Sequence, residues 1–237
     1  MNDWAPKRFW TMAEVVERNG GYAVDLDGRP VKTPYKTPLV VPTRALADAV
    51  AAEWQAQTDL IDPQTMPVTR AANSAIDKVA PQSNAVANML ASYAENDLLC
   101  YRATAPDALV ALQDAAWDPW LDWVAQTLDA PLHVTAGVMP IAQPDTSLSR
   151  LRAEVERFDA WELTGFHDIV QLSGSLVLAL AVAADKLTPD AAWQISHVDE
   201  DFQISQWGED DEASAVAAIK AQALKDGARF MRMSRVV

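Results

Sequence analysis

The chain has 237 residues, half of them hydrophobic, with a formal net charge of −14 and a single cysteine. This length and apolar content suffice for a substantial core, and one cysteine excludes an intrachain disulfide. The acidic balance argues against a nucleic acid partner, because phosphate recognition needs a basic footprint. Up to Arg44, seven Lys and Arg stand against five Asp and Glu. The acidic excess therefore lies in the remainder, where it favours a basic protein partner or simple solubility.

The N-terminal residues contain no apolar signal core, and acids occur too early for a typical transit peptide. The longest apolar run, residues 172–184, is shorter than the stretch of about 20 residues that crosses a bilayer. Gly174 stands between two serines in this run, which we interpret as a small-residue patch for close helix packing. We therefore expect a buried helix over this run and no stable membrane insertion.

Alternating apolar and polar residues begin the chain and predict a β region. Asp27-Gly28 accepts positive φ and predicts a two-residue hairpin turn, and Asn19-Gly20-Gly21 predicts a second turn. Asp25 and Asp27 flank the first turn, where Asp commonly bonds its own backbone, so turn chemistry is favoured over a catalytic pair. Prolines at strand ends favour a small sheet with short edges. The expected strands cover residues 8–10, 14–18, 22–26, 31–33 and 39–41.

Almost everything after Thr43 has a helical pattern. Thr43 is the expected N-cap of a helix through Gln57, and Thr188 caps another that begins with Pro189. A stray strand is expected near residues 132–134. The other helices are expected near residues 69–79, 82–99, 108–128, 148–158, 163–184, 189–206 and 209–232. The fold class is therefore predicted as α+β, with a small N-terminal antiparallel β domain over residues 1–43 and a larger all-α domain over residues 44–237.

Motifs for catalysis are mostly missing. The chain has no G-x-G-x-x-G, no G-x-x-x-x-G-K-[ST] and no G-x-S-x-G, so we expect no catalytic residues and no cofactor. His133, His167 and His197 are far apart in sequence; His197 and Glu200 form an i,i+3 pair that suits either a metal or a solvated pair, the latter being favoured without a second such pair. Cys100 has no adjacent base and is interpreted as a small buried hydrophobe rather than a nucleophile.

Nine tryptophans are present, and Trp117, Trp120 and Trp123 recur every three residues along a predicted helix. Such a band suits core packing, since large aromatics dominate cores. It also suits a partly exposed groove for another protein, because aromatics carry much of the binding energy at contact surfaces. Both interpretations remain open from the sequence.

The segment 199–212 interleaves seven carboxylates with Phe202, Ile204 and Trp207, and no Lys or Arg occurs between Lys186 and Lys220. Gly208 is expected to end one helix, and the acids after it would stabilise the N-terminus of the next through the helix dipole. The dipole explains acids at 209–212 but not their concentration beside apolar side chains. This segment is therefore a candidate contact surface with an acidic rim.

Four stretches resemble a known family: residues 22–34, the helix 46–54 with its Ala-Ala-Glu-Trp, the connection 61–70, and Trp207-Gly208. Together they are similar to the assembly chaperone of the F1 sector of ATP synthase that binds the F1 α subunit. The similarity extends over nearly the whole chain. It implies a small β domain followed by a larger helical domain, in agreement with the pattern of the residues.

The resemblance implies that the protein is not an enzyme: it holds the unassembled F1 α subunit, shields its aggregation-prone interface and yields it to the β subunit. In the family an acidic residue soon after the Trp-Gly pair is tied to function; Glu212 is the favoured counterpart here and Glu209 the alternative. The absent transit peptide suggests the bacterial cytoplasm, or the mitochondrial matrix for a processed form, and we expect a monomer. The predicted partner-binding residues are Phe202, Ile204, Trp207, Glu209, Asp210, Asp211 and Glu212.

A small-molecule enzyme remains as the alternative function. It would use His167 or His197 in a pocket of the helical domain. No nucleophile, base and oxyanion-binding group are brought together by the sequence pattern, so the chaperone is the preferred hypothesis.

Overall fold

A computed structural model describes residues 7–18, 20–137 and 139–235; the first six residues and Asn19 of the second predicted turn lie outside this description. The α+β prediction is confirmed, with a small antiparallel sheet followed by a larger helical region. The strands are β1 Ala13–Arg18, β2 Gly21–Leu26, β3 Arg29–Pro30, β4 Val40–Val41, β5 Tyr101–Arg102 and β6 Thr135–Ala136. The α-helices are α1 Arg44–Ala56, α2 Pro67–Ser74, α3 Ser83–Ala91, α4 Asp107–Thr127, α5 Asp145–Val155, α6 Ala160–Ser173, α7 Leu176–Ala183, α8 Pro189–Ser196, α9 Val198–Trp207 and α10 Asp211–Ser234.

Strand β2 is the centre of the N-terminal sheet and pairs antiparallel with β1, β3 and β4. The predicted hairpin turn is confirmed, since Asp27 and Gly28 have φ of 48° and 79°. The Asp27 carboxylate does not bond its own turn as expected; it accepts the N–H groups of Met12 and Thr11, both at 2.9 Å. These two bonds, Met12 first, lower the pKa of Asp27.

The predicted strands at residues 8–10 and 31–33 are wrong. No strand covers either segment; an isolated bridge from Lys7 to Leu60 precedes the first, and one from Lys32 to Pro38 involves the second. Pro34 and Pro38 have no N–H to donate to a ladder, so they interrupt regular pairing after β3. The expected strand at 39–41 is correspondingly short, beginning at Val40.

Contacts divide the chain into two compact units. The first holds the described residues within Met1–Ser83, Asp159–Gly165 and Arg229–Val237. The predicted boundary between residues 43 and 44 remains a prediction about domains; by contacts, α1 and α2 group with the sheet. The core of this unit is formed by Trp10, Val24, Leu26, Val31, Leu39, Val41, Leu46, Ala47, Val50, Ala51, Val68, Ala72, Ala75 and Phe230.

Local capping fixes the two helices of the first unit. The Thr43 hydroxyl accepts the N–H of Leu46 at 3.2 Å, which confirms Thr43 as the N-cap of α1. Helix α2 begins with Pro67, and its own N-cap residue supplies no side-chain bond. Glu53 of α1 takes over that role, because its carboxylate accepts the N–H groups of Val68 and Thr69, both at 2.7 Å.

The second unit comprises Asn84–Phe158 and Phe166–Ala228. All eight residues of α7 are buried within it, as expected for the apolar run. The single helix predicted over 163–184 is wrong, because Gly174 has φ of 67° and its carbonyl accepts the N–H of Leu98 at 3.1 Å. Gly174 thus ends α6 in a left-handed conformation, rather than permitting close helix packing, and Ser175 caps α7.

Three further expectations are corrected. The helix predicted over 189–206 is broken at His197, whose ψ of 23° separates α8 from α9. The helix predicted over 82–99 ends at Ala91 and continues as short 3-10 turns. The strand expected at 132–134 forms later, at Thr135–Ala136, where it pairs parallel with Tyr101–Arg102.

A fully buried carboxylate, Asp97, joins two segments of the second unit. Its two oxygens accept the N–H groups of Leu99 at 3.1 Å and of Val177, in the first turn of α7, at 3.0 Å. Burial raises the pKa of Asp97, while the N–H bonds act in the opposite direction. Within the described residues, no helix has both the length and the apolar character needed to span a bilayer.

Candidate partner-binding surface

The connection between α9 and α10 is built from residues whose conformations suit it. Gly208 has φ of 90° and donates its N–H to the carbonyl of Ile204 at 2.9 Å, so it ends α9 as expected. Asp210 caps α10, because its side chain accepts the N–H of Ala213 at 2.8 Å and its carbonyl accepts that of Ser214 at 2.9 Å. The predicted start of the last helix is therefore close to the observed one, at Asp211.

The seven predicted partner-binding residues lie on the last two helices and the short connection between them. Phe202 is half-buried, and the other six are exposed. Trp207 exposes 80% of its surface and Ile204 43%. Two large apolar side chains and a run of acids are thus available to solvent in one stretch of chain. Their role in binding a partner remains a prediction.

The four acids at 209–212 do not share one task. Asp210 is engaged as the helix cap. Within the described part of the chain, the carboxylates of Glu209, Asp211 and Glu212 make no hydrogen bond or ion pair. Asp211 and Glu212 lie in the first turn of α10, where negative charge is favoured by the helix dipole. Three carboxylates therefore remain able to meet external cations.

Helix α9 is held in place by α4. Gln113 of α4, which is buried, donates its amide to the carboxylate of Asp199 at 2.6 Å and accepts the N–H of Ala103 at 2.7 Å. Trp117 of the same helix donates its indole N–H to the carbonyl of Ile195 at 2.7 Å. These bonds anchor the beginning of α9 and the end of α8, while the later turns of α9 face solvent.

The tryptophan band of α4 belongs mainly to the core. Trp117 is 1% exposed, whereas Trp120 and Trp123 are half-buried and meet edge to face, with ring centroids 6.3 Å apart. Arg102 lies 5.2 Å from the centre of the Trp117 ring and forms ion pairs with Asp114 and Asp118 of α4 at 2.9 and 2.7 Å. The core interpretation therefore holds for Trp117.

Each histidine contacts residues that are close to it in the sequence. His133 Nδ1 lies 3.1 Å from the carbonyl of Ala142, and His167 Nδ1 lies 3.0 Å from its neighbour Asp168. His197 stacks on Trp193 with ring centroids 3.6 Å apart. Among the described residues, no three His, Cys, Asp or Glu side chains come together in a group that would hold a metal ion.

Cys100 is buried and unbonded to another cysteine. Burial, together with the nearby Asp97 carboxylate, raises the pKa of the Cys100 thiol to about 12. The thiol is therefore protonated at neutral pH and is a poor nucleophile. This agrees with its interpretation from the sequence as a small buried hydrophobe.

Two exposed apolar residues on α10 were not among the residues predicted to bind a partner. Val216 and Ile219 expose 47% and 71% of their surface, in the turns that follow the acids. Their spacing of four and seven residues from Glu212 was the available signal, because it places all three on one side of a helix. That spacing alone is equally typical of a side that faces the core.

Comparisons with known proteins identify the family. The family model described as ATP12 chaperone protein matches residues 7–125. The crystal structure of Atp12 from Paracoccus denitrificans is similar with a TM-score of 0.94 and 51% identity, over 97% of this chain and 98% of that one. A protein from Agrobacterium tumefaciens gives a TM-score of 0.93 and 39% identity, over 97% and 87% of the two chains.

A mitochondrial relative is more distant. Protein atp12 from Schizosaccharomyces pombe is 21% identical over 222 residues, which cover 89% of this chain and 76% of that protein. The resemblance drawn from the sequence motifs is thus confirmed. This chain belongs to the ATP12 chaperone protein family.

Proposed function

We propose that the protein is a non-enzymatic assembly chaperone that binds the unassembled α subunit of the F1-ATPase, prevents its aggregation and releases it for assembly with the β subunit. The observation that carries the proposal is the exposed Trp207 beside four consecutive carboxylates in a chain of the ATP12 family. Such a surface suits a protein partner, because aromatic side chains supply binding energy at interfaces and carboxylates favour a partner that carries positive charge.

The proposed surface suits a client that is later released. Trp207 and Ile204 offer apolar anchors, while Glu209, Asp211 and Glu212 carry charges with no partner among the described residues. Exposed charges at the rim of an interface speed the encounter more than they slow dissociation. A contact with few anchors and an acidic rim is therefore formed quickly and can be broken when the β subunit competes.

Glu212 is the acid that we expect to matter most. It lies in the first turn of α10 and points away from the covered side of that helix by its position in the sequence. Replacing Glu212 with lysine would place a positive charge opposite the positive charge that we expect on the client. Like charges at a docked contact weaken binding by about 2–5 kcal/mol. The loss of one exposed acid near the helix N-terminus costs only about 0.3–1 kcal/mol of stability.

The alternative, a small-molecule enzyme that uses His167 or His197, has less support. The partner of His167 is its sequence neighbour Asp168, and His197 is engaged with Trp193 and Ser196. Two cavities of the first unit, of about 610 and 430 Å³, are lined by described residues that include no histidine. Substrate turnover that is lost in His167→Ala or His197→Ala would favour this alternative.

The test is an aggregation assay with isolated F1 α subunit. We expect wild-type protein at equimolar amounts to keep the α subunit in solution, to hydrolyse no ATP, and to release the α subunit when β subunit is added. Glu212→Lys should melt within a few degrees of wild type yet lose this protection, and Glu17→Lys, an exposed acid on β1, serves as the matched control. Aggregation that is unchanged by excess wild-type protein would refute the proposal.

We further propose that the protein acts as a monomer where F1 subunits are assembled, which is the bacterial cytoplasm for a relative of the Paracoccus protein. Support comes from the 51% identity to that bacterial Atp12, compared with 21% to the mitochondrial one. Sedimentation of the purified protein measures its oligomeric state. If the Glu212→Lys variant also sediments as a monomer, its failure to protect the α subunit from aggregation reflects the lost client contact and not a change in oligomeric state.

A further inference from the structure

Helix α10 has two halves that differ in burial. From Leu224 onward it carries buried side chains, including Ala228 and Phe230, whereas none of residues 211–223 is buried. The partly covered positions near its start are Ser214, Ala217 and Ala221. They continue the line of Leu224 and Ala228 at spacings of three and four residues. The side of α10 that faces the protein is therefore made of small residues over its first three turns.

The opposite side of the same turns carries the large apolar residues. At about 100° per residue, Val216 and Ile219 point about 100° and 160° away from Ala217 on the covered line. They expose 47% and 71% of their surface, and Glu212 lies on the same side. An ordinary surface helix turns its apolar stripe inward and its polar residues outward. The first half of α10 instead carries its largest apolar side chains, Val216 and Ile219, on the exposed side.

Neither helix formation nor core packing accounts for this arrangement. Valine and isoleucine are β-branched and form helices less readily than alanine, which occupies most of the neighbouring positions. Exposed to solvent, they contribute little to the free energy of folding. Glu212, Ala215, Val216 and Ile219 together form what we call the α10 ridge. Val216 and Ile219 lower the helix propensity of this segment and expose apolar surface to water. Because neither effect stabilises the fold, we look for the role of the ridge in contact with another molecule.

The ridge follows the exposed residues of α9 closely in the sequence. Of the twelve large hydrophobic side chains that are exposed among the described residues, four lie within 204–219: Ile204, Trp207, Val216 and Ile219. The four acids at 209–212 stand between the two pairs. Exposed apolar side chains concentrated beside polar ones mark interaction sites in soluble proteins. The stretch from Ile204 to Ile219 therefore has the composition of one contact region.

Charge decides what can occupy this region. Residues 187–219 contain eight carboxylates and no Lys or Arg. A second copy of this chain would bring the same acids against themselves, because a two-fold interface is formed by identical patches. Anionic lipid is disfavoured by the same repulsion. A partner segment with apolar side chains flanked by Lys or Arg meets both the ridge and its acids.

We propose that the α10 ridge seats an apolar segment of the F1 α subunit flanked by Lys or Arg, with Ile219 as its principal anchor. This inference rests on the proposed function and adds a contact that the sequence did not predict. Ile219 is chosen because it is the most exposed aliphatic side chain of the ridge. The acids at the start of α10 orient the segment, and the apolar side chains of the ridge hold it.

The test measures binding of isolated F1 α subunit to full-length variants. We expect Ile219→Ser and Val216→Ser to weaken binding, Ile219→Ser at least tenfold, which corresponds to about 1.4 kcal/mol. Ile219→Leu, which keeps an apolar side chain, should stay within about threefold of wild type. Tyr35→Ser is the matched control, because Tyr35 is also 71% exposed but belongs to the other unit. It should bind like wild type.

The outcomes are distinguishable. If wild type binds the α subunit and both serine variants bind it equally well, the ridge proposal is overturned while the proposed function stands. If wild type does not bind, both fall. A dimer of wild type that Ile219→Ser dissolves would assign the ridge to a second copy and overturn the proposal. A photo-cross-linking residue at position 219 should attach to an α-subunit peptide that contains apolar residues and Lys or Arg, and attachment to an acidic peptide would contradict it.

Discussion

Glu53 is expected to contribute strongly to stability, although it is only half-buried and forms no ion pair with any described residue. Its carboxylate accepts three hydrogen bonds at the start of α2: the N–H groups of Val68 and Thr69 at 2.7 Å, and the Thr69 hydroxyl at 2.6 Å. Pro67 opens the helix, and Met66 makes no capping bond, so α2 has no other cap. Glu53→Ala leaves two N–H groups of buried residues without an acceptor.

The size of the effect follows from these bonds. A hydrogen bond to a charged group contributes about 1.5–3 kcal/mol, and an unsatisfied buried donor costs about 1–3 kcal/mol. Allowing for water that reaches the half-exposed site, Glu53→Ala should lower the free energy of unfolding by about 3 kcal/mol. For a chain of this size each kcal/mol shifts Tm by about 2–4 °C, so Tm should fall by about 6–12 °C.

Thermal melts followed by circular dichroism measure this change, with urea unfolding as an independent readout. Glu53→Gln keeps one acceptor oxygen and should lose about half as much as Glu53→Ala. Glu17→Ala, an exposed acid on β1, should melt like wild type. A Glu53→Ala protein that melts within about 2 °C of wild type would show that α2 is stable without this cap and would contradict the prediction.

Three further predictions concern Gly174, Asp97 and Cys100. Gly174→Ala should destabilise the protein by about 1–2 kcal/mol in urea unfolding, because the φ of 67° at this position suits glycine. Burial raises the pKa of Asp97 in the folded state, so the folded state binds a proton more readily as pH falls from neutral. The free energy of unfolding of wild type should therefore rise relative to that of the non-titrating Asp97→Asn over this pH range. A difference in unfolding free energy between the two proteins that does not change with pH would contradict this. Cys100, with a pKa of about 12, should react with iodoacetamide at pH 7.5 only as fast as the protein unfolds, which mass spectrometry can follow.

Features set by local chemistry could be predicted from the sequence. The Asp27-Gly28 turn, the Thr43 cap and the end of α9 at Gly208 each depend on residues within a few positions of one another. Glycine in an apolar run suits either close packing or a helix end, so the sequence alone does not place Gly174 at the end of α6. The deciding bond, from the N–H of Leu98 to the Gly174 carbonyl, joins positions far apart in the chain.

The same limit applies to strands and caps that depend on distant partners. Thr135–Ala136 forms a strand because Tyr101–Arg102 lies beside it, and nothing in the sequence near residue 135 specifies that neighbour. Glu53 likewise caps a helix that begins fourteen residues later, which no local capping pattern indicates. Periodicity identifies elements, whereas pairing between elements depends on contacts that periodicity does not contain.

At the candidate surface, the sequence does not show which side of helix α10 faces the protein. In α10, both the line of Ser214, Ala217 and Ala221 and the line of Glu212, Val216 and Ile219 have helical spacing. The usual rule places the more apolar line in the core, which here would be the line of Val216 and Ile219. In the structure, the line of Ser214, Ala217 and Ala221 is the partly covered one. An apolar residue that faces solvent breaks the pattern on which such an assignment relies.

Residues that must remain exposed for a partner cannot also hold the fold together, so other residues must do so. At this surface the support is polar and lies at the ends of the helices: Gln113 holds Asp199 at the start of α9, and Asp210 caps α10. These bonds fix where the two helices begin without covering Trp207 or Ile219, which expose 80% and 71% of their surface. The division explains why changes at Ile219 and Glu212 should separate client binding from stability, whereas changes at Gln113 should affect both.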